Sequence, residues 1–196
     1  MPKIILMMYV TFVPVIISGI ANMAWCKSGI LKKTQIPIDK GKSFVDGKRI
    51  FGDHKTWKGI IGYILFNTLF TVLWGLLCKA VNFEYLDFFY AEHENTLIFN
   101  ISVGMLLGIA YSLFELPNSF LKRRLGIIPG KTQTGFSKAF FFFLDQADSI
   151  FGCALVVWLF YDLGILKYLL YVLVGAATHI VLNMLLYFAG LRKNMF

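Results

Sequence analysis

The sequence predicts an all-α integral membrane protein, a polytopic bundle of about five transmembrane helices with two basic cytosolic loops, forming a single domain over residues 1–196. Three observations carry that prediction. Of the 196 residues, 58% are hydrophobic and only 15% charged, a composition far too apolar for a soluble domain. Apolar runs of about 20 residues, the length that crosses a bilayer's hydrocarbon core, recur five times. The bases are concentrated in connections that an odd number of spans brings to one face.

The first run, residues 1–25, is apolar apart from Lys3 and a few small polar residues. Its ANMA looks like a signal-cleavage site, but the run is long enough to span and a polytopic chain follows. Residues 59–77 form the second run. Residues 79–95 carry Glu84, Asp87, Glu92 and Glu94 against one base, the pattern of an acidic, aromatic-rich loop or interfacial helix. The third run, about 96–116, ends at Glu115, Pro117 and Asn118, where proline is expected to stop the helix. The fourth, about 139–161, holds Asp145 and Asp148 inside it or at its mouth, and the fifth covers about 168–190. Cys26, Cys78 and Cys153 have no paired spacing and read as apolar fillers.

Charge orients these spans. Sixteen of the 19 Lys and Arg residues fall in residues 27–58, in 122–138 and at Arg192 and Lys193, leaving only Lys3, Lys79 and Lys167 for the opposite face. The positive-inside rule makes the basic face cytosolic and the N-terminus external. In a soluble chain a net charge of +8 would suggest nucleic acid. Here the placement of the bases favours topology and anionic ligands, with no nucleic acid.

The polar stretch IPIDKGKSFVDGKRIFGDHKTWKG, residues 36–59, interleaves Asp39, Asp46 and Asp53 with Gly41, Gly47, Gly52 and Gly59 and with Lys40, Lys42, Lys48, Arg49, Lys55 and Lys58. Dense glycine lets backbone N–H groups converge, and the bases add positive charge, which together make a phosphate cradle. An ordinary basic juxtamembrane loop has a similar composition. In LDQADS, Asp145 and Asp148 are three residues apart, so on a helix they share a face. Two carboxylates in a span are costly unless neutralised. Mg²⁺ suits them because it takes one or two carboxylates plus phosphate oxygens; a salt bridge to Lys138 is the alternative. Glu115 either joins that site or is solvated beside it. Lys122, Arg123 and Arg124 read as a topology anchor or as phosphate ligands. His179 and Asn183, at i and i+4, form a polar stripe that either packs helices or lines the site. His54 and His93 read as loop histidines.

The stretch PIDKGKSFVDGKRIFGDHKTWKG resembles the first motif of the CDP-archaeol synthase family, integral-membrane cytidylyltransferases that activate the archaeal diether lipid phosphate with CTP. SFLKRRLGI, LDQADSIFG and the closing H-x₃-N with YFAGL are similar to that family's second half, in the same order. Phe114-Glu115 stands where the family pattern has Gly-Asp, and the chain ends in NMF instead of proline-tryptophan. The resemblance implies CTP and a membrane lipid phosphate, diether or a related phospholipid acid, reacting to CDP-lipid and pyrophosphate with Mg²⁺ as cofactor. It implies that Asp145, Asp148 and Glu115 hold the metal. It also implies that Lys55 and Arg123 act at the reacting phosphates, that Arg49, Lys58, Lys122 and Arg124 neutralise substrate, and that Asp39, Asp46 and Asp53 order the loop or add a ligand. A non-catalytic lipid-binding protein or small transporter is the competing class. It has no use for paired carboxylates beside bases, and it needs a polar path across the spans that the sequence lacks. The reading leaves room for a homo-oligomer.

Overall fold

The computed structural model describes residues 2–127 and 136–190. The IPGK turn at 128–131, with Lys131, Arg192 and Lys193, lies outside the described residues. Five long helices result: α1 (Pro2–Lys27), α2 (Trp57–Ala80), α4 (Leu97–Arg124), α5 (Phe136–Phe160) and α6 (Gly164–Phe188), with a short α3 (Phe88–Glu92) between α2 and α4. All five are long and apolar enough to cross a membrane. Side-chain caps start two of them. The Thr56 hydroxyl accepts from Gly59 N (3.1 Å), and Thr96 accepts from Phe99 N (3.3 Å), satisfying N–H groups that the first turn leaves open.

One expectation is overturned. Pro117 does not stop the third span; α4 runs through it to Arg124. Proline removes one hydrogen bond and crowds the carbonyl four residues back, but at membrane depth no other conformation satisfies the remaining backbone groups. The helix therefore continues until Lys122, Arg123 and Arg124 fill its last turn, where cations favour the helix dipole. The three bases are thus helical and not part of a loop. The last span likewise begins at Gly164, earlier than the expected 168.

The closest helix pair is α2 with α4, and its intimacy has a simple origin. Gly104 and Gly108, one turn apart, lie so near α2 that a Cβ on them would meet Thr68 Cα at 2.6 Å and Ile64 Cα at 2.5 Å. This is small-residue packing, which lets two backbones touch where lipid supplies no hydrophobic drive to associate. The remaining helices follow in order: α1 packs on α2, α5 on α4 and α6 on α5. Gly62 admits Asn22 and Trp25 of α1, and Gly152 of α5 admits the Phe114 ring. The bundle is an arc. Its two ends, α1 and α6, meet through a few side chains: Tyr171 Oη donates to Met8 O (3.0 Å), Phe12 meets the Tyr171 ring at 4.3 Å, and Thr178 Oγ1 donates to Tyr9 Oη (3.2 Å).

At the N-terminal end of α4, Asp87 ties three elements together. Its carboxylate accepts from Thr11 of α1 (3.3 Å), Trp74 of α2 (3.2 Å) and the backbone of Phe89 (3.0 Å). The opposite end carries the long polar loop and the basic end of α4, joined where Lys48 Nζ donates to Arg124 O (2.6 Å).

Two predictions arise here. Gly108→Leu drives a side chain into the α2 backbone, so it should lower the melting temperature in detergent sharply, at or beyond the roughly 1–3 kcal/mol usual for overpacking. Gly19→Leu, with nothing among the described residues within 4 Å of the added Cβ, should leave melting unchanged. A similar melting temperature for both variants would refute the packing account. The second concerns pH. Burial pushes Asp87 up to about 6, despite the hydrogen bonds it accepts from Phe89, Trp74 and Thr11. An unfolded aspartate titrates near ~3.9, so between the two values the folded state holds more protons, and stability falls as pH rises through about 4 to 6 and levels off above. Melting in detergent should be higher at pH 4.5 than at pH 7, and Asp87→Asn should flatten that difference.

Candidate functional site

The loop of residues 28–56 folds around Asp39. Its buried carboxylate accepts from Gly41 N (2.9 Å), Phe51 N (3.0 Å) and both Nε and Nη2 of Arg49 (3.2 and 2.9 Å). Burial alone would raise its pKa, but the Arg49 guanidinium and the two backbone N–H groups outweigh burial and hold it below the usual carboxylate range. A small hairpin crosses from Ser43 to Arg49 and turns at Gly47, whose φ of +76° favours glycine. Gly52 N then donates to Ser119 Oγ of α4 (3.1 Å), and Lys55 pairs with Glu115. Burial works against the Lys55 ammonium, yet the Glu115 carboxylate raises its pKa. Folded this way, the loop delivers Lys55 against α4.

Beside that pair opens a cavity of about 1340 Å³, enclosed by all five long helices and the loop. One end is polar. Lys55, Glu115, Asn118, Lys122, Arg123, Asp145 and Asp148 line it. Lys122 pairs with Asp145, and Asn118 Nδ2 donates to both Asp145 Oδ1 and Asp148 Oδ2, each at 2.7 Å. Arg123 lines the same space with its Nε buried and without a hydrogen-bond partner among the described residues. On the α6 side, His179 Nδ1 contacts Gln146 O (3.2 Å) and Asn183 Nδ2 donates to Gln146 Oε1 (2.7 Å). The other end is apolar, running between Met8, Phe12, Val15 and Gly19 of α1 and Tyr171, Val174 and Gly175 of α6.

The donor set fits a hard divalent cation. Two carboxylates converge on the Asn118 amide nitrogen, and the Oδ1 of the same amide is buried with no hydrogen-bond partner among the described residues, a third oxygen left free to accept. Among the described residues no group of three or more His, Cys, Asp or Glu side chains gathers closely enough to hold a metal, and Glu115 pairs with Lys55. A two-carboxylate set is what Mg²⁺ uses when it takes its remaining ligands from water and phosphate.

The structure brings Lys55, Glu115, Lys122, Arg123, Asp145, Asp148, His179 and Asn183 to the cavity wall. It does not bring Asp39, Asp46, Arg49, Asp53, Lys58 or Arg124 there. Arg49 is engaged by Asp39 and Asp53, and Arg124 by Asp46. Lys58 is buried, donates to Ser28 O (2.8 Å) just past the end of α1 and lies over the Trp25 ring at 5.0 Å. Sequence reasoning missed Asn118, Ser119 and Gln146, and gave no role to His54, which lines the cavity. Glu115, Asn118 and Lys122 are three and four residues apart, one helical face; reading a helix stop at Pro117 hid that spacing.

Comparison with known proteins adds family context. The model of the CarS-like family, CDP-archaeol synthase, matches residues 3–196. The CDP-archaeol synthase of Methanocaldococcus jannaschii is 30% identical over 157 residues, covering 80% of this chain and 81% of that protein. That of Methanoculleus marisnigri is 29% identical, covering 80% and 87%. A solved structure, described as an intramembrane enzyme for archaeal membrane lipid biosynthesis, is 22% identical and superposes with a TM-score of 0.56, covering 87% of this chain and 92% of that one.

Proposed function

The chain belongs to the CDP-archaeol synthase family, and we propose that it carries out that family's reaction in the polar end of the cavity, on the cytosolic side of the membrane. It is a CTP-dependent cytidylyltransferase: a cytidylyl group passes from CTP to a membrane lipid phosphate, giving CDP-lipid and pyrophosphate. One observation carries the siting. A single cavity joins a cluster of cations and paired carboxylates to an apolar arm between two spans, so a charged nucleotide and a lipid can meet in it.

An oxygen of the lipid phosphate attacks the α-phosphorus of CTP, the bond to the bridging oxygen of the β-phosphate breaks, and pyrophosphate leaves. The nucleophile is already an anion, so no base is required. The obstacle is repulsion between anions, which fixed positive groups offset at no reorganisation cost. Arg123, with no acidic partner among the described residues, and Lys122 and Lys55, each held by one carboxylate, supply that charge. Asp145, Asp148 and the Asn118 carbonyl would hold Mg²⁺, which adds charge neutralisation at the phosphates. The lipid chain lies along the α1–α6 arm, roughly 20 Å from Asn22 to Met8 at 1.5 Å per residue, more than half a bilayer's ~30 Å core. The excess of bases at this end of the bundle favours a cytosolic orientation.

Purified protein with labelled CTP, Mg²⁺ and a panel of diether and diacyl lipid phosphates should release CDP-lipid and pyrophosphate in equal amounts. No product from any lipid phosphate would defeat the reading. Asp148→Asn should abolish turnover and weaken Mn²⁺ binding read by EPR, with the protein monodisperse; unchanged Mn²⁺ affinity would remove Asp148 from the ligand set. Gly19→Phe, which fills open space in the apolar arm, should depress use of long-chain lipid phosphates more than short-chain ones while CTP binding is kept. An unaltered chain-length profile would place the lipid elsewhere.

A further inference from the structure

Arg124 is the third base of the KRR run, yet it is absent from the cavity wall. Its Nη1 pairs with Asp46, its Nη2 donates to Lys48 O (3.0 Å) and to Arg49 O, and the guanidinium packs against the rings of Phe44 (5.2 Å) and Phe120 (4.7 Å), which meet each other edge to face at 5.3 Å. In return Lys48 Nζ donates to the Arg124 carbonyl (2.6 Å). A planar fork whose two terminal nitrogens bind one carboxylate and two carbonyls beside two aromatic rings is firmly held, with only the buried Nε lacking a hydrogen-bond partner among the described residues. Both terminal nitrogens are taken.

We infer that Arg124 is a positioning residue, a clamp that holds the 39–53 loop on the end of α4 and through it sets Lys55 against Glu115, and that it is not a phosphate ligand. The path is continuous. Arg124 grips the hairpin at Asp46, Lys48 and Arg49; Arg49 holds Asp39; Asp39 accepts from Phe51 N; and the next residue, Gly52, donates to Ser119, three residues before Lys55. Losing the clamp frees the hairpin end of this chain, so the cavity loses the fixed position of a cation without losing the cation. The role in turnover rests on the cytidylyl-transfer reading; the loop contact does not.

The deciding comparison is with Asp46, which faces away from the cavity and carries the wrong charge to bind an anion. If Arg124 is a clamp, Asp46→Ala should reproduce Arg124→Ala: faster hydrogen exchange at the bonded amides of residues 42–52, by roughly tenfold or more for the loss of a charge-assisted contact, and lower kcat at saturating CTP. The double variant should be no worse than Arg124→Ala alone, and Arg124→Lys should recover only part, because lysine cannot fork between carboxylate and carbonyl. Arg123→Ala should lower turnover with exchange in the loop unchanged. The inference fails if Asp46→Ala keeps normal exchange and turnover while Arg124→Ala raises the KM for CTP, which is the signature of a direct ligand. It fails equally if neither variant changes exchange. Should the wild-type protein turn over no lipid phosphate, the cytidylyl reading falls, and the exchange comparison still decides the clamp.

Discussion

The contact between Gly104 and Gly108 of α4 and the backbone of α2 sets the register on which the site depends. The two helices run antiparallel, with Gly104 against Thr68 and Gly108 against Ile64. Each step toward the C-terminus of α4 is therefore a step toward the N-terminus of α2. Seven residues beyond Gly108 is Glu115, and seven before Ile64 is Trp57, the first residue of α2. The carboxylate thus arrives level with the end of the loop that carries Lys55. The same register stacks Tyr63 on Tyr111 at 4.0 Å and, at the far end, sets Gly75 beside Asn100. A slip of even one residue would rotate Glu115 by about 100° around α4 and dissolve the Lys55 pair.

On that frame the bases divide into two groups by partner. Arg49, Lys58 and Arg124 are consumed by carboxylates and carbonyls within the loop and at helix ends, so they shape the wall without entering it. Lys55 and Lys122 reach the cavity paired with an acid, and Arg123 reaches it without one among the described residues. This division has a physical logic. Bare cations crowded round a membrane cavity would repel one another, and the acids interleaved in the same motif relieve that repulsion where no substrate needs it. Asp39 shows the extreme case, its four hydrogen bonds making a hub of what the sequence offers as one acid among three.

Composition and hydropathy made the five spans legible, since a bilayer permits few alternatives to a helix about 20 residues long. The pairing of Asp145 with Asp148 on one face was legible too, because three-residue spacing has one meaning in a helix. What the sequence could not reveal was which bases face inward. Lys122, Arg123 and Arg124 are adjacent and alike as letters, but successive residues on a helix point about 100° apart. Lys122 and Arg123 therefore turn to the cavity and Arg124 to the loop. Asn118 was hidden for a different reason: a proline beside it is a helix breaker in water and a tolerated kink in a membrane.

Phe114 and Glu115, adjacent on α4, serve two different neighbours. One carries a bulky ring and the other an acid, and they point about 100° apart around the helix. The ring is accommodated by Gly152 of α5, whose missing side chain leaves Phe114 carbons 2.7 and 2.8 Å from where a Cβ would stand. The close approach this allows belongs to the α4–α5 packing that brings Asn118 to both Asp145 and Asp148. The Glu115 carboxylate pairs with Lys55. The two acids on α5 are then the only carboxylates among the described residues that share the Asn118 amide, while the third acid serves to hold a cation in the wall.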